Sequence, residues 1–204
     1  MTKQSEKELL RLEKCNKALG YWTIGIQYLH LVEIVTQELI KQGNLFVVIS
    51  NDEISIEQYA EKTKWSDHHL VVPLLFDFYH GLELLLKGFL VAKGKSVSTN
   101  HKLFDLFEAF ISLFPKHALG VLIRKYVAQN QLPEPLASFC AKSGISIDAY
   151  YQALKYPEST KNILFKHTPL KYRGDVGLDF FNFLASDIAQ MRKDVVSLAR
   201  SICP

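Results

Sequence analysis

The chain has 204 residues, 48% of them hydrophobic, 12% aromatic and 22% charged, and its formal net charge is +3. That length supports one domain with a sizeable core over residues 1–204. The mild charge permits a local basic patch but excludes a surface coated in Lys and Arg for wrapping duplex DNA.

The opening MTKQSEKELLRLEK is charged throughout and lacks the apolar core of a signal peptide. From about Ser5 to Gln42 no proline interrupts, and one long helix is predicted, loosened at Gly20. At about 100° per residue, Trp22, Tyr28, Leu29, Val32, Val35, Leu39 and Ile40 gather on one face, and Gly43-Asn44 ends the helix. Leu45–Ile49 is a brief β-branched run, extended but too short to imply a sheet. Ser55 caps a short helix to Lys64, and Ser66-Asp67 starts the central helix, which runs to about Ala92 with Pro73 near its beginning. Asn100 is placed to cap the next, His101–Phe114, and Lys116–Gln129 follows Pro115.

After the elbow LPEPL come two short helical pieces, around 137–142 and 147–155, then a loop from Tyr156 to Gly174. The last helix, Asp175 to about Ile202, sets Leu184, Ile188, Met191, Val195, Leu198 and Ile202 at alternating spacings of four and three, a seam that packs along another helix. The reading is all-α. Cys15, Cys140 and Cys203 are odd in number and far apart with no Cys-x-x-Cys, which argues against a disulfide framework and fits a reducing, cytoplasmic setting. No uninterrupted apolar run reaches the eighteen or so residues needed to span a bilayer, so no membrane role is expected.

The central helix is apolar on nearly all sides, which places it at the centre of the bundle or in a dimer contact. Gly81 and Gly88 on one flank allow another helix to approach closely. His80, Glu83 and Lys87 share a narrow sector, as do His30, Glu33 and Gln37 on the first helix, and the two trios are expected to meet as a polar seam. A buried, unpaired charge costs several kcal/mol, so such a seam must be mutually satisfied or face a wet groove. Two His-x-x-Glu helices would also suit a dimetal bundle, but the order is reversed from Glu-x-x-His and the extra ligands are limited to Asp179, Asp187 and Asp194, so no metal is assigned. Asp67-His68-His69 is no chelate either, since adjacent helical residues point about 100° apart, and the pair is expected to be exposed.

Glu83-x-x-x-Lys87-Gly88 followed by His101-x-Leu103 and Leu106, after a long helix at Lys17–Gln42, resembles the HEPN family of helical domains. Tyr172-Arg173 resembles the lead-in to that family's last helix. The resemblance covers about half the chain and implies a four-helix core at about 17–42, 68–92, 101–114 and 175–202, with 115–174 as a helical and loop insertion. It implies Glu83, Lys87, His101, Lys102, Tyr172 and Arg173 as ligand-binding residues, an RNA or nucleotide ligand, and an antitoxin-type protein partner in a toxin–antitoxin or phage-defence setting.

Ribonuclease members carry an Arg and, after four to six intervening residues, a His near the last helix. Here those positions hold Leu178, Asp179 and Phe180 after Arg173, and Ser197, Leu198 and Ala199 after Arg192, and no His follows His167. Metal-independent RNA cleavage needs a proton carrier of near-neutral pKa. No catalytic residue and no cofactor are therefore assigned, and His101 is read as a helix-start residue hydrogen-bonding locally. Lys93, Lys95 and Lys102 in one loop, and Lys161, Lys166, Lys171 and Arg173 in another, offer contacts to phosphates.

The expected function is a non-catalytic module binding RNA, a nucleotide or a protein partner. The alternatives are a HEPN-type ribonuclease with an atypical active site and a structural dimeric scaffold. The all-round apolar central helix and the long seam of the last helix predict a homodimer.

Overall fold

The computed structural model describes residues 3–50, 52–97 and 101–204. Among these the fold is all-α, with an isolated bridge between Glu158 and Leu164 and no strand. In chain order the helices are α1 (Lys3–Lys41), α2 (Ile56–Thr63), α3 (Asp67–Ala92), α4 (Leu103–Leu113), α5 (Ala118–Val127), α6 (Leu136–Ser143), α7 (Tyr150–Ala153) and α8 (Gly174–Ile202). Asn100, the expected cap of α4, lies outside the described residues.

α1 passes through Gly20 unbroken and buries Trp22, Leu29, Val32 and Leu39 on the expected face. It stops where Gly43 and Asn44 both turn left-handed, at φ of 75° and 52°, and their amides bond back to Ile40 and Leu39 carbonyls. These bonds satisfy carbonyls that the helix end would otherwise leave open. Ser55 caps α2 with its hydroxyl on the Gln58 amide, and the Gln58 side chain returns a bond to the Ser55 amide. Leu45–Ile49 has no strand partner and runs as irregular chain.

α3 sits at the centre and packs on α1, α4 and α8. Its all-round apolar surface is thus satisfied inside this chain. By length and composition it also passes as a membrane-crossing helix, and its place in the core accounts for that composition. The glycine flank faces α1: a Cβ on Gly88 would fall 2.6 Å from the Trp22 ring, and one on Gly81 would fall 3.2 Å from the Gly25 carbonyl. The two backbones can approach that closely only without side chains there.

The α8 seam is buried from Leu184 through Leu198, against α1, α3 and α5. Residues 115–174 are more than an external elaboration. Leu119, Ile123 and Tyr126 of α5 enter the core, and the Tyr79 hydroxyl, on α3, bonds the Tyr126 carbonyl at 3.1 Å.

The expectation of unpaired thiols is not met. Cys15 and Cys203 form a disulfide between α1 and the residue that follows α8, 188 positions apart in sequence. The packing of α1 on α8 brings their Cα atoms to 5.7 Å. Cys140 is a buried free thiol.

Candidate functional site

The Glu83 carboxylate, 2% exposed, is the meeting point of three elements. Lys87, one turn further along α3, places Nζ 2.6 Å from Oε1. His101, just ahead of α4, brings Nδ1 to 3.1 Å from Oε1 and 3.0 Å from Oε2. The Tyr150 hydroxyl, from the first residue of α7, donates to Oε2. Burial alone would push the Glu83 carboxyl up. Hydrogen bonds from Lys87, Tyr150 and His101, with the Lys87 charge, outweigh it and hold the group below its ordinary value of 4.5. Burial and the neighbouring carboxylate push the Tyr150 hydroxyl well up, so it stays protonated and donates. Tyr151 covers His101 with its ring, the centroids 3.7 Å apart and the planes 10° from parallel.

Glu83, Lys87 and His101 are thus together in space. Tyr150 and Tyr151 were not legible as members. The partner of His101 lies 18 residues away, which corrects the reading of it as a locally bonded helix start. Lys102 stays at the surface beside Asp105 at 4.0 Å.

The expected seam between α1 and α3 does not form. Glu33 pairs instead with Arg192 on α8, while His30 is exposed 3.9 Å from Glu33 and Gln37 is exposed. His80 lies edge-on to Tyr28 and stacks on Phe76, and burial pushes its imidazole below the ordinary value. The reason is the glycine-lined crossing. It brings the helices together through Gly25, Gly81 and Gly88, and directs the two charged sectors to opposite neighbours.

Tyr172 and Arg173 belong to a second cluster. Asp67, fully buried at the start of α3, accepts the Tyr172 amide at 2.7 Å, the Arg173 amide at 2.8 Å and the Asn44 side-chain amide at 3.1 Å. Asn44 Oδ1 in turn accepts the Asp67 amide at 2.7 Å. These bonds hold Tyr172 in the left-handed region at φ 58°, which is strained for a bulky residue. Its half-exposed ring stacks on His68 at 4.7 Å and meets Phe46 edge-on. His68 and His69 both line a cavity of about 280 Å³ with Lys155, Tyr156, His167 and Lys171, so His68 is not the exposed residue the sequence led us to expect. Burial, then the neighbouring His69 and Lys171, push its imidazole below the ordinary value.

Among the described residues no group of three His, Cys, Asp or Glu side chains stands together as a metal site. No family model, curated protein or solved structure matches the chain, so its function is argued from these two clusters.

Proposed function

We propose that the protein is a non-catalytic, HEPN-like helical module that binds RNA or a nucleotide. Toxin–antitoxin or phage-defence systems, with an antitoxin-type partner, are the setting that the family resemblance suggests. The observation that carries the reading is the convergence of Glu83, Lys87 and His101 on one buried carboxylate. The motif residues hold one another, with Tyr150 supplying a third donor. A carboxylate so enclosed is a latch between α3, α4 and α7. The ligand class is supported by the cluster of Lys and His side chains beside Tyr172.

The test is binding of labelled single-stranded RNA across a salt series, followed by incubation of the same RNA in a metal chelator. Binding that weakens linearly in log salt, without turnover, is the expected result. Metal-independent cleavage that persists through repurification and disappears in His101→Ala would establish the ribonuclease alternative. Absence of binding at low salt would leave the scaffold reading.

We further infer a homodimer formed through α1. Residues 18–32 contain no Lys, Arg, Asp or Glu, and Ile24, Leu31 and Ile34 on the side away from the core are 48–50% exposed. A twofold axis presents a patch to itself, so an uncharged apolar face is compatible with its own copy where a charged one repels. Light scattering is expected to give twice the 23.3 kDa of one chain, and Ile24→Asp with Leu31→Asp is expected to return the monomer with its helicity intact.

A further inference from the structure

We propose that the cavity between the start of α3 and the segment following α7 binds a nucleoside monophosphate, free or as one unit of an RNA strand. The phosphate would lie on Lys155, Lys171 and the imidazoles of His68, His69 and His167, and the base would stack outside on an exposed tyrosine. This rests on the reading of the chain as an RNA- or nucleotide-binding module, and it names the site.

Four observations point there. The lining is cationic and contains no acidic side chain among the described residues. Asp67, next to His68, is not part of the lining, and both its oxygens are engaged by the Tyr172 and Arg173 amides and by Asn44. His68 Nδ1 is buried without a hydrogen-bond partner among the described residues, a polar atom left for a ligand or water. Two half-exposed rings flank the opening: Tyr156 from the lining and Tyr172 stacked on His68 and held in a strained backbone.

Size narrows the ligand. Small-molecule sites usually run about 300–1,000 Å³. A cavity of about 280 Å³ suits a phosphate and ribose with the base outside, and is too small for a dinucleotide. His167 is oriented by a 2.6 Å bond from Nε2–H to the Ala153 carbonyl, so its Nδ1 would donate to a phosphate only in the imidazolium form. The larger groove between α1 and α8, about 690 Å³, also carries cations in Arg192, Lys193 and Arg200, but it contains the Glu33 carboxylate, which pairs with Arg192, whereas the smaller cavity is lined by no carboxylate.

The site is also joined to the latch. Lys155 Nζ lies 4.9 Å from the centre of the Tyr151 ring, and Tyr151 stacks on His101, which bonds Glu83. α7 therefore supplies one residue to the latch, one to the stack and the start of the segment that lines the cavity.

The experiment titrates the full chain with inorganic phosphate, adenosine 5′-monophosphate and a short labelled oligoadenylate RNA. It uses wild type, the double variant Lys155→Met with Lys171→Met, and Tyr172→Leu, each checked for fold by circular dichroism. The double variant is expected to bind the RNA about tenfold more weakly, with a salt slope shallower by about two. Tyr172→Leu is expected to weaken the mononucleotide and the RNA while sparing inorganic phosphate. RNA binding that depends on the two lysines without mononucleotide binding identifies the strand as the source of the phosphate and supports the site. RNA binding unchanged in the double variant overturns the site and leaves the module reading intact. No binding of any probe by wild type overturns both.

Discussion

Glu83 receives hydrogen bonds from three side chains, so the effect of removing one depends on what the other two still supply. Lys87→Met removes the one permanent positive charge and leaves a carboxylate in a nearly closed site. Breaking such a pair usually costs about 3–5 kcal/mol. Because His101 and Tyr150 remain, the lower figure of about 3 kcal/mol is expected, read as a fall in the midpoint of urea unfolding. Unchanged stability in Lys87→Met would mean that the latch is not structural.

The pH dependence has a definite sign. The Glu83 carboxyl lies below 4.5 when folded, so its contribution is present above that value and is lost as pH falls through the folded value. His68 and His80 are held below their ordinary 6.5 by burial, so the unfolded chain binds protons first and stability declines as pH falls below about 6.5. Acid titration followed by circular dichroism is expected to give a shallow loss near 6 and a steeper one below 4.5. Glu83→Gln is expected to abolish the second and, by removing a carboxylate that favours the charged His80 imidazole, to deepen the first.

At the scale of elements, the α1–α3 crossing sets where every polar group ends up. A methyl group added at Gly88 has the Trp22 ring in its way at 2.6 Å, and Trp22 is itself buried against Phe89. Overpacking of this kind usually costs about 1–3 kcal/mol, and Gly88→Ala is expected to fall in that range. A melting temperature equal to wild type would show that the crossing has slack.

The start of α4 relies on a distant carboxylate, since the Phe104 amide bonds Asp148 Oδ1 at 2.7 Å across 44 residues. Loss of a capping side chain costs about 1 kcal/mol, which is the expected effect of Asp148→Ala. Asp148 also immediately precedes Ala149, Tyr150 and Tyr151, so the same variant is expected to raise the hydrogen-exchange rate at the start of α4 and in α7 together.

For the whole molecule, the Cys15–Cys203 bond closes nearly the full chain into a loop, because α1 and α8 pack side by side. Disulfides typically contribute about 2–4 kcal/mol, more for long loops. Reduction, or Cys203→Ser, is expected to lower the melting temperature by about 5–15 °C while leaving the helical spectrum in place. In a reducing compartment the two thiols would sit side by side, held by the same packing.

Helical periodicity, proline positions and caps determined the all-α class and the main helices, because those signals are local and repeat every turn. The glycine flank of α3 and the seam of α8 were legible for the same reason: a face with one character over several turns has to meet a partner. The Glu83–Lys87 pair was legible from its spacing of four, whereas His101, read as a locally bonded helix start, joins it only through the fold.

Which partner each face meets was decided by tertiary structure. Two trios with matching spacing on α1 and α3 looked like one seam, but spacing fixes only the direction of a side chain about its own axis. The close crossing at Gly25, Gly81 and Gly88 rotates those sectors apart, sending Glu33 to Arg192 and Glu83 to His101 and Tyr150. The disulfide was hidden because its cysteines lie 188 residues apart, and the cavity was hidden because its walls come from three separate stretches of chain. Contacts of that range follow from how whole helices pack, and no local pattern encodes them.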